Sequence, residues 1–268
     1  MALFTDQTGG RIDIEHRPRR IVSLVPSQTE LLFHLGLQEE VVGITKFCVH
    51  PEHWFKTKAR VGGTKELNVD LIRSLQPDLI IANKEENVKH QVEDLKTSSA
   101  VWVSDVSTLD DALNMIESLG DITGTQAKAL SLISIINERF RQLQACLPRQ
   151  VAVLSAAYLV WRNPYMAAGG DTFINEMMKL CGLQNVFRTV PRYPVFQPED
   201  LRLLNCDVVL LPSEPFPFGM KHIEELQPHL PGSTIILVDG EFFSWYGSRL
   251  AEAPAYFQEV VEQIKALK

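Results

Sequence analysis

Positive charge is in short supply: 26 Lys and Arg stand against 33 Asp and Glu, a net charge of -7. A nucleic-acid backbone demands a basic stripe, so nucleic acid is excluded as the main partner. No run of about 18 apolar residues occurs, the length a membrane-crossing helix requires. Cysteine is sparse as well. Cys48, Cys146, Cys181 and Cys206 lie far apart with no CxxC, which removes zinc-ribbon and thioredoxin-like readings. Buried free thiols are the simpler expectation, with one disulfide left open. Neither GxGxxG nor a Walker loop is present, G-x-S-x-G is absent, and no Ser/His/Asp trio is recognisable. Nothing here argues for an enzyme or an intrinsic cofactor. The first 20 residues lack the apolar h-region of a secretory signal, so a cytoplasmic protein and one whose leader was removed both stay open.

What is present is an ordinary globular composition, 45% hydrophobic and 22% charged, able to bury a sizeable core. From residue 20 to 105 the apolar runs "RIVSLV", "VVGIT", "DLIIAN" and "AVWVSD" read as strands. "TELLFHLG" and "VDLIRSLQ" read as helices between them. That order predicts right-handed βαβ units and a mostly parallel sheet. From about Asp121 to Leu147 the apolar spacing turns helical, and one long helix is predicted, ended by Pro148. Strands then resume at "QVAVLSAAY", "DVVLLPS" and "TIILVDG", with a final helix from about Ala251. The expected organisation is an N-terminal α/β lobe (1–120), a linking helix (121–147) and a C-terminal α/β lobe (148–268).

The halves also echo each other. "LIRSLQPDLIIANKE" (71–85) resembles "LRLLNCDVVLLPSE" (201–214), and "LGLQ" (35–38) recurs as "CGLQ" (181–184). Asp70 precedes Asp78 by eight residues, and Glu199 precedes Asp207 by the same interval. Together these matches suggest duplicated lobes. Counted from Thr29 to Gly36 and from Thr172 to Gly182, the second-half helix is expected to be a turn longer. A cleft between two such lobes is where a small ligand would bind.

Individual motifs carry competing readings. Ser27 and Glu30 spell the S-x-x-E capping box, the firmer reading, while Gln28 and Thr29 are where a ligand contact would show. His50 and His53 in "HPEH" are expected to be surface histidines, not metal ligands. In "AGGD", Asp171 or Thr172 is the expected helix cap. "GEFFSWYGSR" (240–249) crowds Phe242, Phe243, Trp245 and Tyr246 beside Glu241 and Arg249. A loop facing a large flat ligand would use these residues, although core filling explains them too. "SEPFPFG" adds Phe216 and Phe218, stiffened by prolines. Asp70 and Glu199 are either first-turn helix acids or a symmetric pair that docks on two basic sockets of a two-fold partner.

"TDQTGGRIDI...RPRRIVSLVPSQTELLFHLG", "VVGITKFCVHPE" and "RVGG...LNVDLIRSLQPDLIIA", followed by the long linker, cover nearly the whole chain in order. They resemble the substrate-binding proteins of ABC importers for cobalamin, ferric siderophores and haem, most closely the cobalamin branch. The resemblance implies two Rossmann-like α/β lobes joined by one long backbone helix and a periplasmic or cell-envelope location. It further implies an expected monomer that captures a corrinoid-like metal chelate in the interlobe cleft for a membrane permease. Acids at helix starts that meet permease arginines fall on Asp70 and Glu199. "EFF" (241–243) matches the family's Asp-Trp-Phe loop, with Glu241 for the Asp and Phe242 for the Trp. Thr64 and Asn83 stand where two further tryptophans fall. Cys181 matches one partner of the branch's disulfide, and the final helix has no Cys. The expected ligand contacts are Gln28, Thr29, Lys46, Lys65, Asn83, Phe216, Glu241, Phe242, Trp245 and Arg249. An anionic siderophore or haem would draw on Lys46, Lys65, Lys84, Arg162 and Arg249. A cytoplasmic metallocofactor-handling protein or enzyme is the alternative from another class.

Overall fold

The computed structural model describes residues 2–146 and 154–267. The predicted stop at Pro148 and the first residues of the predicted strand at 150–158 lie outside these. The chain divides into two compact units. One comprises Met1–Val106, Asp110–Ile135 and Tyr246–Arg249; the other comprises Ser107–Leu109, Ile136–Trp245 and Leu250–Lys268.

The first unit opens with an antiparallel hairpin, β1 (Ala2–Thr5) and β2 (Arg11–Ile14). Alternating elements follow: β3 (Ile21–Ser23), α1 (Pro26–His34), β4 (Val41–Ile44), α2 (Glu52–Thr57), β5 (Ala59–Arg60) and α3 (Val69–Ser74). Next come β6 (Leu79–Asn83), α4 (Lys89–Leu95), β7 (Val101–Ser104) and α5 (Leu109–Thr123). The five strands form one parallel sheet in the order β5-β4-β3-β6-β7. β3, β6 and β7 are buried throughout, as unbroken apolar runs covered on both faces should be. Fully burying side chains such as Leu24 and Ile80 contributes about 1.5–3 kcal/mol each.

The long helix α6 spans Gln126–Cys146 and carries the chain from residues of the first unit into the second. Its 21 residues give a length of about 32 Å. It starts later than the sequence pattern suggested, because Asp121–Thr123 still belong to α5. Gly124, at φ +66°, closes α5, and Thr125 then accepts the first amides of α6.

In the second unit β8 (Leu154–Trp161) is followed by β9 (Met166–Ala167), α7 (Phe173–Leu180), β10 (Leu183–Asn185), α8 (Pro198–Leu203) and β11 (Val208–Pro212). The chain continues through α9 (Met220–Leu226), β12 (Thr234–Val238), α10 (Glu241–Ser244), a 3-10 turn (Ser248–Ala251) and α11 (Ala253–Leu267). The parallel order is β10-β8-β11-β12, with β9 antiparallel on β8. Thr172 caps α7 by accepting from the Asn175 amide.

The echo between the halves is a structural repeat. α1 and α7 both end in a right-handed residue, Leu35 or Cys181, followed by glycine at φ +83° or +82°. α3 and α8 both end two residues before a left-handed residue, Gln76 at φ 47° and Asn205 at φ 51°. Asp78 then donates its amide to the Arg20 carbonyl, and Asp207 to that of Ser155. Both carboxylates return the bond: Asp78 accepts from the Arg19 and Arg20 amides, and Asp207 from Ser155.

Two local expectations are corrected. α1 begins at Pro26 with Val25 as N-cap, so no Ser27–Glu30 capping box forms; Pro26 fills the first helical position, where its missing N–H costs nothing. Starting there, α1 has nine residues against eight in α7, so the second-half helix is not the longer one.

Candidate ligand-binding site

Parallel α/β sheets bind ligands beyond the carboxyl ends of their strands, at the point where strand order reverses. In the first unit this point is β3, flanked by β4 and β6; in the second it is β8, flanked by β10 and β11.

At the first unit's strand ends, Gln28, Asn83 and Ser104 form a buried polar network. Gln28 Nε2 donates to Ser104 Oγ at 2.5 Å, and Asn83 Nδ2 donates to the same oxygen at 2.9 Å. Asn83 Oδ1 accepts the amides of Glu85 and Glu86, so it shapes the turn after β6. Thr29 is fully buried, donating to the Val25 carbonyl at 2.8 Å and lying 3.1 Å from the Cys48 sulfur. The side chains of Gln28 and Thr29 are therefore committed to the core, because the first turn of α1 packs directly on the strand ends. Lys46 and Lys65 are exposed on loops after β4 and β5; Lys65 donates to the Glu85 carbonyl, and the Lys46 ammonium lies over the Phe47 ring at 5.2 Å. Phe47, about half exposed, was not singled out by sequence. Its only signal was an aromatic placed just past a strand.

Arg249 also belongs to the first unit, where it pairs with Glu30 at 2.6 Å. Gly247 permits this approach: a Cβ there would lie 2.5 Å from the Ser27 carbonyl oxygen. Glu30 is thus an ion-pair partner instead of a helix cap.

The second unit's strand ends are aromatic. Trp161, the last residue of β8 and 44% exposed, meets Phe216 edge-on at 5.6 Å. Phe216 in turn packs on Phe218 and on the buried His222. Phe242 stacks on Tyr256 with centroids 4.4 Å apart, and Trp245 is buried with its indole N–H donating to Glu214 at 2.7 Å. Glu241 opens α10 with its amide on Asp239. Arg162 is held by both oxygens of Glu225, which also accepts from Tyr165 at 2.5 Å. Burial pushes the Tyr165 hydroxyl up to about 12, while Arg162 holds Glu225 below the usual carboxylate range. Sequence reasoning missed Trp161, whose position at the end of an apolar run was the available signal. It also missed Glu214, whose partners lie 30 residues away.

Asp70 and Glu199 hold the second position of α3 and α8, both exposed. Glu199 Oε1 accepts from His229 Nδ1 at 2.9 Å. Backbone hydrogen bonding at the helix start, then His229, hold its carboxyl below the ordinary range. His53 packs its ring against Phe33 and Trp54. All four cysteines are free thiols; burial pushes Cys181 and Cys206 up to about 12. Among the described residues, no helix is long and apolar enough to cross a membrane.

Two parallel α/β units in tandem, linked through one long helix and each with a distinct rim at its strand ends, define the fold class: paired Rossmann-like α/β units. The family follows from comparison. The model for periplasmic binding proteins matches residues 21–210, and the chain belongs to that family. It is 26% identical over 212 residues to an ABC transporter substrate-binding lipoprotein of Bacillus subtilis, covering 76% of this chain and 67% of that one. It is 25% identical over 258 residues to a vitamin B12-binding protein of Pectobacterium atrosepticum, covering 94% and 90%. Among solved structures, a periplasmic haem-binding protein from Roseiflexus superposes with a TM-score of 0.78 at 20% identity, covering 93% of this chain and 99% of that one. The vitamin B12-binding protein of Vibrio cholerae superposes at 0.77 and 19% identity, covering 93% and 98%.

Proposed function

We propose that this chain is the substrate-binding component of an ABC importer, and that it captures a corrinoid, cobalamin-like metal chelate for delivery to a membrane permease. The observation that carries the reading is the aromatic rim of the second unit, where Trp161 ends β8, Phe216 and Phe242 follow β11 and β12, and all three are at least partly exposed. Flat macrocycles are held by such surfaces through stacking and burial. The charge pattern favours a corrinoid over an anionic siderophore or haem. Of the five cations that the sequence offered as candidates for an anion, Lys65, Lys84, Arg162 and Arg249 already have protein partners. The vitamin B12-binding relatives support the same choice. Phe242 and Phe216 supply stacking in this reading, Glu241 accepts from the amide side chains of the corrin, and Asp70 and Glu199 dock the permease.

Calorimetric titration with cyanocobalamin, haemin and a ferric hydroxamate tests it. Micromolar or tighter binding of cyanocobalamin alone is expected. Preference for haemin or the hydroxamate would replace the corrinoid, and no binding of any of the three would overturn the importer reading. Charge reversal at Asp70 and Glu199 should leave affinity intact and abolish uptake.

A further inference from the structure

Glu214 follows β11, and the aromatic segment hangs from its carboxylate. Its Oε1 accepts from Ser244 Oγ at 2.9 Å and from Trp245 Nε1 at 2.7 Å. Gly240, just before α10, presses against it: a Cβ there would lie 2.7 Å from the Glu214 carbonyl oxygen and 2.8 Å from its Cγ. The neighbouring Ser213 accepts from the Gly240 amide at 3.0 Å and donates to Asp239 at 3.3 Å. Both ends of α10 are therefore tied to the two residues that leave β11. Phe242 lies between the ties and stacks on Tyr256, whose hydroxyl accepts from the Asp239 amide at 2.6 Å. All of these groups lie within the second unit.

We propose that Glu214 is a positioning residue for the ligand site: it fixes α10 so that the Phe242–Trp245 platform stands formed before a ligand arrives. This rests on the reading that the segment meets the chelate. The physical reason is preorganisation. A mobile aromatic loop must be ordered during binding, which weakens affinity, whereas a carboxylate accepting from two consecutive residues restricts both beforehand. The clamp also has a proton-dependent signature. Burial raises the Glu214 carboxyl above the ordinary range, Ser244 and Trp245 oppose this, and the charges of Glu241 and Asp239 add to it. Tyr158 also faces Glu214, and Tyr256 faces Asp239. The group that accepts from the Trp245 indole thus changes charge at a higher pH than an exposed glutamate would.

The test is a difference fluorescence titration between the protein and W245F, from about pH 4 to pH 8, which spans ordinary and raised carboxyl values. The Trp245 signal should show one step above the ordinary glutamate range. E214Q should abolish the step, keep Trp245 in its low-pH environment and hold cyanocobalamin affinity within about threefold of wild type, roughly 0.7 kcal/mol. E214A should shift the Trp245 emission and weaken cyanocobalamin binding about tenfold, or about 1.4 kcal/mol. G240A, whose new methyl wedges against Glu214 at an ordinary backbone φ of -64°, should reproduce the E214A spectrum. It also carries the test if E214A fails to fold. Native spectrum and native affinity in E214A would overturn the clamp. Absence of cyanocobalamin binding by the wild type would instead remove the ligand reading, with the clamp still judged by the titration step and its loss in E214Q.

Discussion

Seven residues after Asp78 stands Glu85, and seven after Asp207 stands Glu214, so the repeat places a glutamate in the same turn of each unit. In the first unit that turn is shaped by Asn83, which takes the Glu85 and Glu86 amides and reaches Ser104 and, through it, Gln28. In the second, proline holds the position of Asn83, and Glu214 turns to Ser244 and Trp245. One rim is closed by a buried polar network and the other carries partly exposed aromatics. The scaffold bonds, Asp78 to Arg20 and Asp207 to Ser155, are the same in both. Duplication thus preserves what the strands need for register, while the loops beyond the strand ends are free to diverge, because no ladder hydrogen bond depends on them.

That contrast can be broken at several points. The largest stability effect is expected at Asn83→Ala, which removes the donor to Ser104 and leaves the part-buried Glu85 and Glu86 amides without their acceptor. It should cost roughly 2–3 kcal/mol in denaturant unfolding. Phe242→Ala should do the opposite: thermal stability changes little, while cyanocobalamin affinity measured by calorimetry falls about thirtyfold, about 2 kcal/mol. A result with the two roles exchanged would reverse the assignment of the rims.

Smaller tests address the shared scaffold. Asp78→Ala and Asp207→Ala should each destabilise by about 1–2 kcal/mol and agree with each other within about 0.5 kcal/mol, if the repeat is energetic as well as geometric. Within the second unit, two acids should oppose each other as pH changes. The raised Glu214 contributes stability that is full below the unfolded carboxyl range and lost as pH rises through its folded value. The lowered Glu225 contributes stability present above that range and lost as pH falls. Unfolding curves of E214Q and E225Q against pH should therefore diverge from wild type in opposite directions. Smallest of all, Gln76→Gly should stabilise by about 0.5–1 kcal/mol and Asn205→Gly by less, since asparagine tolerates the left-handed region better than glutamine.

Much of the scaffold was legible in the sequence because it depends on local pattern. Apolar runs such as "DLIIA" and "DVVLL" mark strands covered on both faces, and a glycine after Leu35 or Cys181 marks a helix end. The interval from Asp70 to Asp78, repeated from Glu199 to Asp207, marks the duplication. The matched αL residues Gln76 and Asn205 show no such mark, since neither is a glycine. Helix starts were legible only in part: Thr172 capped as its residue type suggests, but "PSQTE" was settled by Pro26, which takes the first helical position and leaves Ser27 inside.

What only the tertiary structure decided is the company each side chain keeps. Whether Gln28 faces a ligand or Ser104, whether Glu30 caps its own helix or pairs with Arg249 more than 200 residues later, and whether Glu214 lies free or holds Trp245 all depend on contacts between distant segments. Period and propensity are properties of neighbours along the chain and can be read from it. A hydrogen-bond partner is chosen by three-dimensional proximity and by the cost of leaving a buried polar group unpaired, and that choice exists only once the chain has folded.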